Sequence, residues 1–171
     1  GYLADFLERV SDDLARRHEY RPPRFRPEIG LCSRSANREN GDNCLWFEGP
    51  GNCFYVLLCD GMGTGGEASL TARICSAFLE EILRAGADMT VALTMLNNYM
   101  RSRSLECSAG IDLMEIDRFT GEARFVKSGA APSFVIRDGR LFRLCSKTVP
   151  IGILRALDAE MIRFTLEKGD I

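Results

Sequence analysis

The stretch that most constrains the fold is residues 54–68, Phe-Tyr-Val-Leu-Leu-Cys-Asp-Gly-Met-Gly-Thr-Gly-Gly-Glu-Ala. Its apolar first part, residues 54–59, predicts a buried β-strand. The strand stops at Asp60, and a glycine-rich turn then leads into a long pattern of helical spacing. A carboxylate at the end of a buried strand needs a partner, because burying an unpaired charge is costly. The partner of Asp60 is therefore central to what this chain does.

The composition is typical of one globular domain, with 171 residues of which 46% are hydrophobic and 27% charged. A net charge of −2 argues against nucleic acid or an anionic membrane as partner. Seven scattered cysteines without a C-x-x-C motif indicate a reducing, cytoplasmic setting. No apolar run approaches the ~18 residues of a membrane span, so we expect no direct membrane insertion. The chain starts with Gly and stops in a turn, so we expect a piece of a longer protein, whose upstream segments could carry a membrane anchor.

The chain divides at an Arg- and Pro-rich break over residues 21–27. Before it, residues 2–18 predict an amphipathic helix whose apolar positions are Leu3, Phe6, Leu7, Val10 and Leu14. This helix could pack on its own domain, or it could serve as a linker or dimerising helix. We therefore predict a linker or regulatory segment over residues 1–27 and a second domain over residues 28–171.

Within the second domain, periodicity predicts two helices between groups of strands. The predicted helices cover residues 67–84 and 90–101. The predicted strands cover residues 28–36, 44–48, 53–59, 111–117, 123–127, 133–137, 140–145 and 161–167. Short turns join many of these strands, which favours antiparallel pairing. The prediction is an α+β fold with stacked antiparallel sheets and helices outside.

Two sequence patterns resemble known phosphate-binding motifs, but the residues around each argue against such a site. Residues 61–66 match G-x-G-x-x-G, the dinucleotide fingerprint, but the following helix leads to another helix rather than to a parallel strand. Asp60 would also place negative charge beside the pyrophosphate. Residues 32–38 have the C-x5-R spacing of cysteine phosphatases, but they lack a glycine that would turn backbone amides toward phosphate. A P-loop is excluded, since no Gly-Lys-Ser/Thr follows.

Carboxylates are the remaining candidates for chemistry, because His18 is the only histidine and is predicted to lie in the last turn of the first helix. Asp42 precedes the first strand of a predicted hairpin, and Asp60 ends the second. Antiparallel pairing can bring them together at one sheet edge. With the carbonyl of Gly61 they would form a hard oxygen site for Mg²⁺ or Mn²⁺. On spacing alone, an ordinary turn role for Asp42 is equally consistent.

Four motifs in order resemble the metal-dependent serine/threonine phosphatases of the type 2C class. They lie at residues 40–43, 60–65, 127–133 and 150–152 and read Asn-Gly-Asp-Asn, Asp-Gly-Met-Gly-Thr-Gly, Lys-Ser-Gly-Ala-Ala-Pro-Ser and Pro-Ile-Gly. Within that class the chain is most similar to the phosphatase domain of the stage II sporulation protein E, including residues 93–99 and 106–110. The resemblance covers roughly residues 28–171.

The resemblance implies an antiparallel β-sandwich flanked by helices and a reaction at two Mn²⁺ or Mg²⁺ ions. These ions would share Asp60, one would also take the Gly61 carbonyl, and Asp42 would bind metal or metal-held water. A water between the ions would attack phosphorus without a phospho-enzyme. The implied substrate is phosphoserine on an anti-sigma-factor antagonist protein in sporulation or stress signalling. The two predicted helices resemble an element that relatives shift to complete the metal site.

The sequence departs from the pattern of the type 2C class at three points, and the roles of the family's residues at those points are not transferred to this chain. Gly41 stands where eukaryotic members carry Glu, although bacterial relatives share this change. No arginine has the spacing of the eukaryotic phosphate-binding residue, so a role for Arg38 is doubtful. The later Ser-Asp-Gly and Gly-Asp-Asn motifs, which supply further metal carboxylates, would lie beyond Ile171; Asp170 is not a substitute for them.

The sequence therefore predicts a C-terminally truncated phosphatase domain that is weak or inactive by itself. The alternative is a non-catalytic regulatory or dimerisation module on the same fold, and a homodimer is left open. The amphipathic segment before residue 27 is the feature that favours this alternative.

Overall fold

The computed structural model describes residues 22–34, 40–63, 65–102 and 107–171. Within them lie seven strands and two helices: β1 (Asp42–Glu48), β2 (Cys53–Gly61), α1 (Gly66–Arg84), α2 (Met89–Ser102), β3 (Ala109–Asp117), β4 (Glu122–Ser128), β5 (Ser133–Arg137), β6 (Arg140–Leu144) and β7 (Glu160–Thr165). The helix predicted over residues 2–18 falls outside the described residues. The strand predicted over residues 28–36 is wrong for residues 28–34, which have no regular secondary structure and are mostly exposed.

Five strands form one antiparallel sheet in the order β1-β2-β3-β4-β7, and β5 pairs with β6 in a separate hairpin. One face of the five-stranded sheet packs against α1 and α2 around Leu57, Leu79, Leu93 and Leu113, all fully buried. The other face packs against the β5–β6 hairpin around Phe54, Ile116, Phe125, Val135 and Leu144. The layers are therefore helices, sheet and hairpin, and the predicted α+β fold with stacked antiparallel sheets is confirmed.

Strand β2 is apolar over residues 54–57 because both of its faces are covered there. Tyr55, Leu57 and Cys59 point to the helical layer and are buried. Phe54 and Val56, on the opposite face, contact the hairpin cluster. A strand covered on both sides loses the apolar–polar alternation of a half-exposed strand. This explains the apolar run over residues 54–57, beyond which Leu58 is 41% exposed on the hairpin side.

Helix α1 begins directly after the glycine-rich turn and lies over β1 and β2. Its buried face includes Ala72, Cys75, Leu79 and Leu83, which are fully shielded from solvent. Their spacing of three and four residues is that of one helical face. The helix ends near Gly86, whose φ of 93° suits a left-handed residue after a helix. The consequence is that the first turn of α1 is held close to the end of β2.

Helix α2 is joined to the segment after β6 by a buried amide. The Asn97 side-chain NH₂ donates to the carbonyl oxygens of Leu154 and Arg155, and its oxygen accepts from Gly152 N–H at 3.0 Å. Ile151 in turn exchanges two backbone hydrogen bonds with Ala109 at the start of β3. The residue 150–155 segment is thus held between α2 and the sheet. No helix in the described part of the chain has the length and apolar character to cross a membrane.

The last residues are joined to β5 by backbone and side-chain contacts. Ile171 and Ile136 exchange two backbone hydrogen bonds of 3.0 and 2.7 Å. The Arg137 guanidinium donates to the Asp170 carboxylate at 2.8 and 2.5 Å and to Glu167 at 2.5 Å. The hydrogen bond from Arg137 is the main cause that lowers the pKa of Asp170 below its ordinary value, and a backbone hydrogen bond from Glu167 lowers it further. Asp170 is therefore occupied as an ion-pair partner.

We expect Asp170→Asn to lower the free energy of unfolding of this chain at pH 7. Because the folded state depresses the pKa of Asp170, its contribution is present above the unfolded pKa of about 3.9 and is lost as pH falls through the lower, folded value. The difference between variant and wild type should therefore shrink in acid, measured by urea unfolding from pH 7 to pH 2. Glu81→Gln, which removes one charge from an exposed position on α1, is the control. A difference in the free energy of unfolding that stays constant with pH would contradict the ion pair between Asp170 and Arg137.

Candidate metal centre

The structure places Asp42 directly opposite Asp60 on neighbouring strands. Gly61 N–H donates to the Gly41 carbonyl at 3.0 Å, which makes residues 41 and 61 a hydrogen-bonded pair. In an antiparallel ladder the next pair is then of the non-hydrogen-bonded kind, with Cα atoms about 4.5 Å apart and side chains closest together. The Asp42 and Asp60 carboxyl groups therefore share one side of the sheet at its edge. Asp60 lies within β2, which continues to Gly61, rather than after the strand as the apolar run indicated.

The electrostatics of the pair favour a cation. Partial burial raises the pKa of Asp60, and the charge of Asp42 and a hydrogen bond with its side chain raise it further. The negative charge of Asp42 disfavours ionisation of Asp60, and a positive ion between them removes that penalty. Both side chains remain exposed to solvent, so an ion can reach them.

The backbone around the pair is packed too tightly for side chains. A Cβ on Gly61 would lie 1.9 Å from the Ala68 carbonyl oxygen in the first turn of α1. A Cβ on Gly41 would lie 3.3 Å from Ala68 Cβ and 3.5 Å from the Gly61 carbonyl oxygen. Since Gly61 N–H points toward β1, the Gly61 carbonyl points to the same side. The Gly61 carbonyl therefore points toward the strand that carries Asp42.

These donors fit a hard divalent cation. Two carboxylates and a backbone carbonyl are the oxygen ligands that Mg²⁺ and Mn²⁺ prefer, and such ions commonly keep several waters. Across residues 22–34, 40–63, 65–102 and 107–171, no group of three His, Cys, Asp or Glu side chains is arranged to hold a metal. Asp42, Asp60 and Gly61 thus fit part of a metal site, with the remaining positions open to water and other oxygen donors.

The alternatives based on phosphate-binding loops receive no support from the described residues. Both neighbours of β2 are antiparallel to it, whereas a dinucleotide fold needs a parallel strand after the helix. Cys32 is an exposed free thiol, and Arg38 lies outside the described residues, as does His18.

One cluster near the acid pair was not predicted from the sequence, although two of its members lie in the motif over residues 127–133. Lys127 of β4 is fully buried and forms an ion pair with Asp112 of β3. Asp112 lies two residues after Gly110, which pairs with Asp60 in the sheet. Ser133 also donates to Asp112. The available signal was a pair of opposite charges within two consecutive apolar strands, Ile111-Asp112-Leu113 and Val126-Lys127.

The family model described as "Stage II sporulation protein E (SpoIIE)" matches residues 50–171. Two proteins named Stage II sporulation protein E are similar to the chain. The one from Bacillus subtilis (strain 168) is 29% identical over 82% of this chain and 17% of its own length. The one from Priestia megaterium is 25% identical over 84% of this chain and 25% of its own length. The chain therefore spans a quarter or less of these relatives.

Solved structures show the same fold. A structure of the PP2C phosphatase domain and a fragment of the regulatory domain of SpoIIE from Bacillus subtilis aligns with a TM-score of 0.69 and 30% identity, over 76% of this chain and 39% of that one. The RsbU and RsbW domains of a Mycobacterium tuberculosis protein align with a TM-score of 0.68 and 19% identity, over 80% and 38%. The latter similarity is evidence of fold alone. With the family match over most of its length, the chain belongs to the SpoIIE family and has the α+β fold of type 2C phosphatase domains.

Proposed function

We propose that this chain is part of a metal-dependent serine phosphatase that removes phosphate from phosphoserine on a small anti-sigma-factor antagonist protein. The observation that carries the proposal is the exposed Asp42–Asp60 pair, which lies beside Gly61 at the end of β2. Membership of the SpoIIE family supports phosphatase chemistry and a place in sporulation or stress signalling. The place of action is the cytoplasm.

The chain's own residues have distinct roles in this proposal. Asp60 and Asp42 hold Mn²⁺ or Mg²⁺ through their carboxylates, and Gly61 contributes its carbonyl oxygen. Ala68 of α1 lies so close to Gly61 that only glycine fits at this position. When bound, such an ion supplies Lewis-acid activation of water for attack on a phosphate ester. The pair's exposure leaves room for a phosphoserine side chain to approach from solvent.

The test is Mn²⁺-dependent release of phosphate from a phosphoserine protein. This chain is compared with a version extended by about 80 residues of the parent protein, a span chosen from typical domain size. Activity of the extended version, with little or none for this chain, supports the proposal and indicates that further metal ligands lie outside it. Absence of activity in both, across a range of Mn²⁺ concentrations, would contradict it.

A second candidate is a non-catalytic regulatory or dimerisation module on the same fold. It is favoured by one observation, that no third acidic or metal-binding side chain joins Asp42 and Asp60 within the described residues. Binding of a partner protein, or of a second copy of the chain, without any phosphate release by the extended version would favour this candidate.

A further inference from the structure

Lys127 is a buried lysine whose hydrogen-bonding capacity is fully used inside the protein. None of its surface is exposed. Its ammonium group donates to the Asp112 carboxylate, to Ser133 Oγ at 2.8 Å and to the Ala131 carbonyl at 2.9 Å. A lysine has three N–H donors, so each has a partner. Lys127 is therefore not free to bind a phosphate group, and its effect must come through the residues that it holds.

Asp112 is less completely satisfied than Lys127. Its Oδ2 atom accepts from both Lys127 Nζ and Ser133 Oγ. Its Oδ1 atom is buried and has no hydrogen-bond partner within the described residues. A buried ion pair seldom stabilises a fold more than apolar residues of similar volume, and an unsatisfied buried oxygen adds a further cost. Stability alone therefore does not explain this cluster.

The cluster holds the segment over residues 129–133, which we call the 129–133 loop. Lys127 contacts it at both Ala131 and Ser133. At its start, the Gly129 carbonyl oxygen lies 2.9 Å from where a Cβ on Gly110 would be. Gly110 is the direct partner of Asp60 on β3, and the same Cβ position lies 3.7 Å from Asp60 Cβ. The loop therefore closes the space beside Asp60 on the side away from Asp42.

We propose that Lys127 and Asp112 are positioning residues for Asp60: by holding the 129–133 loop against Gly110, they keep the Asp60 carboxylate directed toward Asp42 and strengthen divalent-cation binding by the pair. The inference rests on the proposed function for the identity of the ion. A ligand held in one direction by its surroundings binds more tightly, because less of its freedom is lost on binding.

The test uses the parent-length protein with Lys127→Met, Asp112→Asn and the double variant. The dissociation constant for Mn²⁺ is measured from the electron paramagnetic resonance signal of the free ion, alongside the melting temperature and the rate of phosphate release. Each single variant should melt lower, because it leaves one buried charge unpaired. The double variant should recover most of that loss and still bind Mn²⁺ about 10- to 100-fold more weakly, the usual effect of losing a group that orients a ligand. Lys147→Met, at an exposed lysine, is the matched control.

A double variant that binds Mn²⁺ within twofold of wild type would overturn the proposal and leave the cluster a structural role only. Should the double variant fail to fold, Ser133→Ala decides, because it removes only the hydroxyl that accepts from Lys127 and donates to Asp112 and leaves both charges in place. Ser133→Ala should weaken Mn²⁺ binding several-fold, and unchanged binding would overturn the proposal. A wild-type protein that binds Mn²⁺ through Asp60 but releases no phosphate would refute the proposed function. The effect of the variants on Mn²⁺ binding would still test the positioning role. A wild-type protein that binds no Mn²⁺ would refute both.

Discussion

Asp60→Asn is expected to reduce phosphate release by the parent-length protein at least about a thousandfold and, at the same time, to raise the melting temperature of the metal-free protein. The first effect follows from loss of a metal-binding carboxylate, because metal ions contribute several kcal/mol to such reactions and each ~1.4 kcal/mol is tenfold in rate. The second follows from the raised pKa of Asp60, which burial and Asp42 produce. At neutral pH the fold opposes ionisation of Asp60, and an amide removes this penalty.

The two effects have separate measurements. Activity is measured over a range of Mn²⁺ concentrations, and melting is followed in EDTA from pH 8 to pH 3. Because the folded pKa of Asp60 is raised, its favourable contribution is present below the unfolded value of about 3.9 and is lost as pH rises through the folded value. The stability advantage of Asp60→Asn should therefore be present at pH 8 and disappear toward pH 3.

Asp138→Asn is the control, since Asp138 is exposed in the β5–β6 turn and has a φ of 49°, which Asn tolerates. An Asp60→Asn protein with full activity would remove the basis of the proposed metal centre. Equal melting temperatures for wild type and variant at pH 8 would contradict the raised pKa of Asp60.

Gly61→Ala is expected to destabilise this chain by at least about 3 kcal/mol. Overpacking a tight site costs ~1–3 kcal/mol where side chains can yield, and here the added Cβ would lie 1.9 Å from a backbone carbonyl oxygen, that of Ala68. Either β2 or the first turn of α1 must move. For a chain of this length the melting temperature should fall by roughly 6–12 °C, measured by circular dichroism.

Gly30→Ala is the matched control, because no atom lies within 4 Å of the Cβ that it would add. Its effect on the free energy of unfolding should stay within about 0.5 kcal/mol. A Gly61→Ala protein that melts within 2 °C of wild type would show that the end of β2 and α1 are not in the close contact described. A folded variant with weakened Mn²⁺ binding would link that contact to the direction of the Gly61 carbonyl.

The elements most accurately predicted from sequence were those with local signals. The strand over residues 133–137 has the predicted bounds, and a tight Asp-Gly turn follows it. Helix α1 begins one residue before its predicted start and ends at the predicted residue. The end of β2 was less accurate, because the apolar pattern stops at Cys59 while strand pairing continues to Gly61. Hydrophobicity shows where a strand is buried, but hydrogen bonding to neighbours sets where it ends.

The prediction over residues 28–34 was wrong for a related reason. These residues include apolar side chains such as Ile29 and Leu31, but both are exposed, and within the described part of the chain no strand pairs with them. A β-strand is stabilised by neighbouring strands rather than by its own composition. The sequence of an isolated segment does not contain that information.

By itself, the sequence determined the order of helices and strands over residues 42–165, because that order depends on short-range patterns, and a hairpin between adjacent strands made the approach of Asp42 to Asp60 one of two consistent readings. Only the tertiary structure decided the raised pKa of Asp60, the contact between Gly61 and Ala68, and the Lys127–Asp112–Ser133 cluster beside the pair. These features depend on burial and on how loops and layers pack against one another. Neither is expressed in the spacing of residues along one strand or helix.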